Sequence, residues 1–190
     1  MTLVYTQPEA AILGPGNEAY PARLRERMGD DAPAQLYALG NLDVLALPKT
    51  AIFCSVRCPG HVILTTYDQA AKWREAGRCV ISGFHSPVEK ECLRILLRGS
   101  QPIIICPART LPQIVPPEWR QPLADGRLLI LSGFRAGEKR ITTELAIRRN
   151  EFVAALADEL WFAHITPGGQ MDKLAQQARR LNVIVSRPHS

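Results

Sequence analysis

From residue 49 onward, short apolar runs rich in β-branched residues alternate with segments whose apolar positions recur at helical spacing. Such alternation marks a parallel sheet covered by helices on both faces. The pattern predicts six strands, at 51–55, 79–82, 102–106, 127–131, 159–164 and 182–186. Several are apolar at nearly every position, as strands buried on both faces require. Helices are expected at 65–76, 87–98, 117–124, 142–157 and 171–181. The second has the most explicit start. Ser86-Pro87-Val88-Glu89 supplies an N-cap hydroxyl, a proline at the first helical position and the glutamate of a capping box. The expected fold class is α/β, a Rossmann-like three-layer sandwich around a central, mostly parallel sheet.

Residues 1–48 read differently. Their prolines and short amphipathic stretches predict two short helices or turns, a lead-in packed on the sheet edge ahead of a ligand-binding domain over 49–190. No internal repeat, low-complexity tract or long linker is read along the chain.

Composition narrows the class. A chain of 190 residues, 46% of them hydrophobic, can bury one sizeable core. No run approaches the roughly 18 apolar residues needed to span a bilayer. The N-terminus lacks the basic start and apolar stretch of a signal peptide, so a cytoplasmic protein is expected. The five cysteines (Cys54, Cys58, Cys79, Cys92 and Cys106) form no C-x-x-C pair and have no histidine at zinc-ligand spacing. They are read as reduced, mostly buried residues, and neither a metal nor a cofactor is expected. The formal net charge of +5 leans toward polyanionic partners without identifying one.

In an open parallel sheet, ligands bind beyond the carboxyl ends of the strands, so the residues just after each strand are the ones to inspect. After the first expected strand, Ser55, Arg57 and Gly60 offer a hydroxyl, a guanidinium and a turn where a phosphate could sit. The segment is not a G-x-G-x-x-G fingerprint, which argues against a dinucleotide site. After the second strand, Ser82-Gly83-Phe84-His85 runs into the capped helix, whose N-terminal N–H groups favour an anion. The competing reading is that Ser86 and Glu89 satisfy those groups internally. After the fifth strand, Gly168-Gly169 precedes a helix carrying Lys173, and serves equally as phosphate turn or plain strand-to-helix turn. Arg148, Arg149 and Asn150 lie on a helix that otherwise packs through Phe152, Val153 and Leu156. A solvated charged face is the alternative for that pair. No nucleophile–base pair, paired carboxylates or metal cluster emerges, so binding rather than catalysis is expected.

These segments resemble, in order and spacing, the DNA-processing protein A (DprA/Smf) family. Tyr20-Pro21-Ala22-Arg23-Leu24 and Leu36-Tyr37-Ala38-Leu39-Gly40-Asn41 look like its YPxxL and LyxxGn lead-in, and 51–57 (AIFCSVR) occupies the place of its AIVGSR strand and loop. Val80-Ile81-Ser82-Gly83-Phe84 is similar to its VSGLARG, 116–120 (PPEWR) to its YPxENR, and 149–158 (RNEFVAALAD) to its RNRIIAGLSD. Gly168-Gly169 falls where that family has a small-residue turn. Three departures stand out. Cys54 replaces the glycine of GSR, His85-Ser86-Pro87-Val88-Glu89 replaces the ARGID run, and Glu151 replaces the second arginine of RNR. The family's common C-terminal winged helix has no counterpart in this sequence.

The resemblance implies a Rossmann-like domain that binds single-stranded DNA through phosphate contacts in a basic pocket, often as a homodimer, and that assists loading of a RecA-type recombinase. Ser55, Arg57, Ser82, Gly83, Arg148, Arg149 and Asn150 would line the pocket, with His85, Gly168, Gly169 and Lys173 added from the strand-end reading. Phe84 is the aromatic best placed in sequence for base stacking, although a core position is preferred for it. A small-nucleotide binder related to the lysine-decarboxylase-like phosphoribohydrolases is the alternative. Pro167-Gly168-Gly169 suggests it, but the Gly-Thr pair and glutamate of that family's PGGxGTxxE are absent. A ligand-free interaction module is the third reading.

Overall fold

The computed structural model describes residues 8–135, 141–180 and 183–188. Its elements in chain order are β1 (Ala11–Leu13), α1 (Ala22–Met28), β2 (Leu36–Gly40), β3 (Lys49–Cys54), α2 (Gly60–Glu75), β4 (Cys79–Ser82) and α3 (Pro87–Leu97). There follow β5 (Ile103–Ile105), α4 (Pro117–Ala124), β6 (Leu128–Ser132), α5 (Thr143–Leu156), β7 (Glu159–His164), α6 (Gln170–Arg180) and β8 (Ile184–Ser186). They build one eight-stranded sheet in the order β1-β2-β6-β5-β4-β3-β7-β8. From β6 to β8 all neighbours are parallel; β1 and β2 are antiparallel additions beyond β6. The α/β fold and mostly parallel sheet expected from the sequence are present.

Each expected strand from 51 onward forms, with ends moved by a residue or two; the expected start of the last strand at 182 and helix end at 181 lie outside the described residues. Helix α2 begins at Gly60, earlier than the expected 65, because Pro59 sits extended at φ −61°, ψ 145° and the helix starts directly behind it. The stretch before Lys49 departs in kind. Leu36–Gly40, read as part of a helical or turn-rich lead-in, is a strand bonded antiparallel to β6. Its side chains alternate between the two layers, Leu36 and Ala38 into one and Leu39 into the other. Helix α1 packs against α5 on a face of the sheet, while β1 and β2 of the same lead-in extend the sheet's edge.

Two apolar layers sandwich the sheet. One gathers residues of α1, α5 and α6, the other residues of α2, α3 and α4. The adjacent strands β3 and β7 anchor both. Phe53 stacks on Phe162 at 5.3 Å in the first layer, and Trp161 meets Trp73 edge-on at 5.2 Å in the second. The end of α5 is tied down by arginines from α1. Arg27 donates to the carbonyls of Ala155 and Ala157, and Arg23 to that of Leu156 and to the Asp158 carboxylate at 2.7 Å. Cations at a helix C-terminus satisfy its last carbonyls and complement its dipole. Among the described residues no helix is long and apolar enough to cross a membrane.

Candidate functional site

The parallel strands run outward from β3 in both directions: β4, β5 and β6 on one side, β7 and β8 on the other. The chain therefore changes side next to β3, and the carboxyl ends of β3, β4 and β7 border the crevice that such a switch creates. Ser55, directly after β3, stitches one wall. Its N–H donates to the His164 carbonyl and its hydroxyl accepts from Thr166 N–H, each at 3.0 Å.

The turn after β4 forms the other wall. Ser82, 1% exposed, donates its hydroxyl to the Ile52 carbonyl at 2.9 Å and accepts from Phe84 N–H at 3.1 Å. Its hydroxyl thus holds the turn and is not free for a ligand. That bond also supports Phe84 at φ 46°, an uncommon conformation for a non-glycine residue. The Phe84 ring is buried in the core and unavailable for base stacking. The Arg149 guanidinium lies on Gly83, so that any Cβ at that position would overlap it.

Arg149 is 4% exposed. Its Nε donates to Asn150 Oδ1 at 2.8 Å and its Nη1 to the Cys106 carbonyl at 3.3 Å. Among the described residues Nη2 has no protein partner, yet it is not one of the sealed, unsatisfied atoms. Burial pulls the guanidinium below its ordinary value, while the charge of Glu89 opposes that shift. A buried cation held short of its full complement of acceptors is the strongest single pointer to an anionic ligand here. Arg149 in turn draws down the Cys106 thiol, but burial dominates and pushes it up to about 12. All five cysteines are free, four buried and Cys58 half-buried.

Of the three helix starts at the crevice, those of α3 and α6 are already occupied by carboxylates of the chain, while α2, which follows β3, has no side-chain cap and no acidic residue in its first turn. Glu89, 6% exposed, accepts from Cys54 N–H at 2.9 Å, His85 N–H at 2.8 Å and Ser86 N–H at 3.2 Å, while Ser86 Oγ accepts from Glu89 N–H. The capping box is complete, so the internal reading of this turn holds. Gly168, at φ 71°, donates its N–H to Asp172 at 2.9 Å, and Gly169 N–H goes to the Thr166 carbonyl. The hydrogen bond from Gly168 holds the Asp172 carboxyl below its ordinary value. The paired glycines are thus a self-capped turn, and Lys173 and the His85 side chain project into solvent.

Cationic side chains remain exposed along the same edge. Arg57 follows β3, and Arg148 sits over the Phe134 ring at 5.8 Å near the end of β6. Two further arginines, Arg109 after β5 and Arg135 after β6, escaped the sequence reading. The strand-end rule would have found them had it been applied to the third and fourth expected strands. A groove of about 620 Å³ runs past Arg135, Arg148 and Phe134 toward Asp31 and Glu151.

The two turns share a local repeat that the sequence reading overlooked. Ser132-Gly133-Phe134 repeats Ser82-Gly83-Phe84, with Ser132 donating to the Arg109 carbonyl at 2.7 Å and accepting from Phe134 N–H at 3.1 Å. The structure therefore gathers Ser82, Gly83, Arg149 and Asn150 in the crevice, with Ser55 on its opposite wall. It leaves Arg57 and Arg148 on the rim and the side chains of His85 and Lys173 exposed, while the N–H groups of Gly168 and Gly169 are bonded within their own turn. Among the described residues no three metal-ligating side chains come together.

Comparison with known proteins supplies context for this arrangement. The sequence model of the family DNA recombination-mediator protein A matches residues 11–167. DNA processing protein A of Streptococcus pneumoniae superposes with a TM-score of 0.78 at 21% identity, over 96% of this chain and 64% of that one. The chain thus spans just under two thirds of the pneumococcal structure. DNA processing protein A of Helicobacter pylori, studied for its single-stranded DNA binding mode, superposes at 0.74 and 20% identity over 96% of this chain and 82% of that one. A molybdenum cofactor binding protein from Rippkaea orientalis gives 0.52 at 12% identity over 74% and 75% of the two chains. No curated protein matches the sequence.

Proposed function

We propose, from the premise that this chain belongs to the DNA recombination-mediator protein A family, that it binds single-stranded DNA along the carboxyl edge of its sheet. The observation that carries the reading is Arg149, a nearly buried guanidinium lying on Gly83 at the crevice, whose Nη2 has no hydrogen-bond partner among the described residues. Arg57, Arg109, Arg135 and Arg148 extend the cationic edge across the ends of β3, β5 and β6. From β3 to β6 there are three strand intervals, roughly 14 Å at about 4.8 Å each. That is room for several phosphates of an extended strand.

The single-stranded DNA binding described for the H. pylori relative supports this ligand. A small nucleotide fits less well, because the glycine turn that could cradle its phosphate spends its N–H groups on Asp172 and Thr166. The same reading carries a cytoplasmic location, a homodimer and a RecA-type recombinase as partner. Light scattering and recombinase pull-down test the last two.

The primary test is fluorescence anisotropy of a labelled oligo-dT at several salt concentrations. Affinity should fall with salt at a log–log slope of roughly −0.7 per phosphate neutralised. Replacing Arg57 or Arg148 by alanine should flatten that slope. Salt-insensitive binding, or none by the folded protein, would reject the reading.

A further inference from the structure

We infer that the loop after β5 carries a nucleobase pocket: Arg109, Leu111, Pro112, Gln113 and Ile114 form an apolar cup that takes one unpaired base of the bound strand. This role rests on the DNA-binding reading, which delivers the strand, and adds a base contact to its phosphate contacts. The cup encloses about 260 Å³ and is built from consecutive residues, 109–114. Ile114 is 78% exposed and Val56 76%, more than any other large apolar side chain among the described residues. Both stand in loops that leave the carboxyl ends of strands, β5 and β3, and each loop also bears an exposed arginine, Arg109 or Arg57. Exposed apolar groups beside cations match a ligand whose anionic and apolar parts alternate, as they do along a nucleic acid strand.

The loop is anchored at both ends. Ala108 and Val115, on either side of it, are buried in the core. The Arg109 carbonyl accepts from Ser132 Oγ at 2.7 Å, and the Val115 carbonyl from Arg120 Nε at 3.3 Å. Pro112 fixes one more backbone angle between these anchors. A base brings a flat apolar face and a hydrogen-bonding edge. Leu111, Pro112 and Ile114 supply apolar area for the face, and the Gln113 amide supplies both a donor and an acceptor for the edge. The planar guanidinium of Arg109 can lie on the face or pair with the neighbouring phosphate. In a duplex the base faces are covered by one another, so the pocket serves an unpaired strand only.

The test compares oligo-dT with an abasic chain of the same length and charge by fluorescence anisotropy. The wild type should bind oligo-dT at least about fivefold more tightly. Ile114→Ser, at an exposed position, should lower oligo-dT affinity by about that factor while leaving the affinity for the abasic chain and the salt slope unchanged. Equal binding of the two chains by the wild type, or a variant that weakens both alike, would overturn the inference while leaving the phosphate contacts of the DNA-binding reading intact. A second measurement needs no strand: free thymidine at millimolar concentration should move the Gln113 and Ile114 amide signals of the nitrogen-15 labelled wild type, and should move them less in Ile114→Ser. If the wild type binds no oligonucleotide, the DNA reading fails and the thymidine titration still decides the pocket, which signals that stay put would overturn.

Discussion

The guanidinium of Arg149 rests on the α-carbon of Gly83, filling the space a side chain there would need. One residue ends a strand turn and the other comes from the middle of α5, so their contact fixes the helix against the crevice. Glycine is required at 83 for this close approach, not for an unusual backbone angle. The contact predicts a specific pattern of coupling. Gly83→Ala should destabilise the fold by about 1–3 kcal/mol through overpacking. It should also weaken oligo-dT binding by displacing Arg149. In the Arg149→Ala background the added methyl has room, so a thermal or urea double-mutant cycle should show coupling of at least about 0.5 kcal/mol. Additive effects would mean that the two residues do not constrain each other.

Rim and crevice arginines should separate cleanly in stability. Arg57 is exposed, and its replacement by alanine should change stability by no more than about 0.5 kcal/mol. Arg149→Ala instead strips the Cys106 carbonyl of a donor and empties the space the guanidinium fills over Gly83. A loss of roughly 1–3 kcal/mol is expected from the carbonyl left without its donor. Urea melts of both variants check this, and equal melting midpoints would contradict the burial of Arg149.

The twin Ser-Gly-Phe turns make a further comparison. Ser82 and Ser132 are each 1% exposed, and each hydroxyl bridges a carbonyl to the N–H two residues ahead. Replacing either with alanine leaves that carbonyl and N–H unsatisfied, at a cost of about 1–3 kcal/mol. The functional consequences should differ. Ser132→Ala releases the loop bearing Arg109 and should lower affinity for oligo-dT through that arginine, whereas Ser82→Ala acts on the turn beside Gly83. Binding titrations at matched stability distinguish them; an unaltered affinity in Ser132→Ala would remove Arg109 from the interface.

Which features were legible in the sequence follows from how local their causes are. The buried parallel strands announce themselves because β3 to β7 are apolar runs, and the start of α3 is written in four consecutive residues. Strand β2 was missed because its assignment depends on pairing with β6, nearly a hundred residues away. Its apolar run is equally compatible with a short helix. The site was readable as a set of strand ends plus the Arg148-Arg149-Asn150 stretch of one helix, and the family motifs drew Gly83 and Arg149 into one pocket. What sequence could not show was how polar groups are shared. Ser82, Gly168 and the α3 N-terminus look like ligand donors until their partners, Ile52, Asp172 and Glu89, are brought beside them by the fold.

The ion cluster at the opposite edge of the sheet predicts the acid limit of stability. Burial alone would push the Asp158 carboxyl up, but hydrogen bonds from Lys49 N–H and Arg23, together with the charges of Arg23 and Lys49, hold it below its ordinary value. A carboxyl with a depressed folded-state value binds protons more readily in the unfolded chain. Its contribution is therefore present above the unfolded value, about 3.9, and is lost as pH falls through the folded value. Asp158 and Arg23 are each about a third exposed, so solvent screening keeps the contribution modest. The melting temperature of Asp158→Asn should lie below that of the wild type at pH 6, and the gap should close progressively below about pH 4. Raising the salt concentration at pH 6 should narrow it as well. A gap that stays constant down to acid pH would show that the asparagine acts through packing or backbone bonds, and that the charge of Asp158 does not hold α1 to the end of α5.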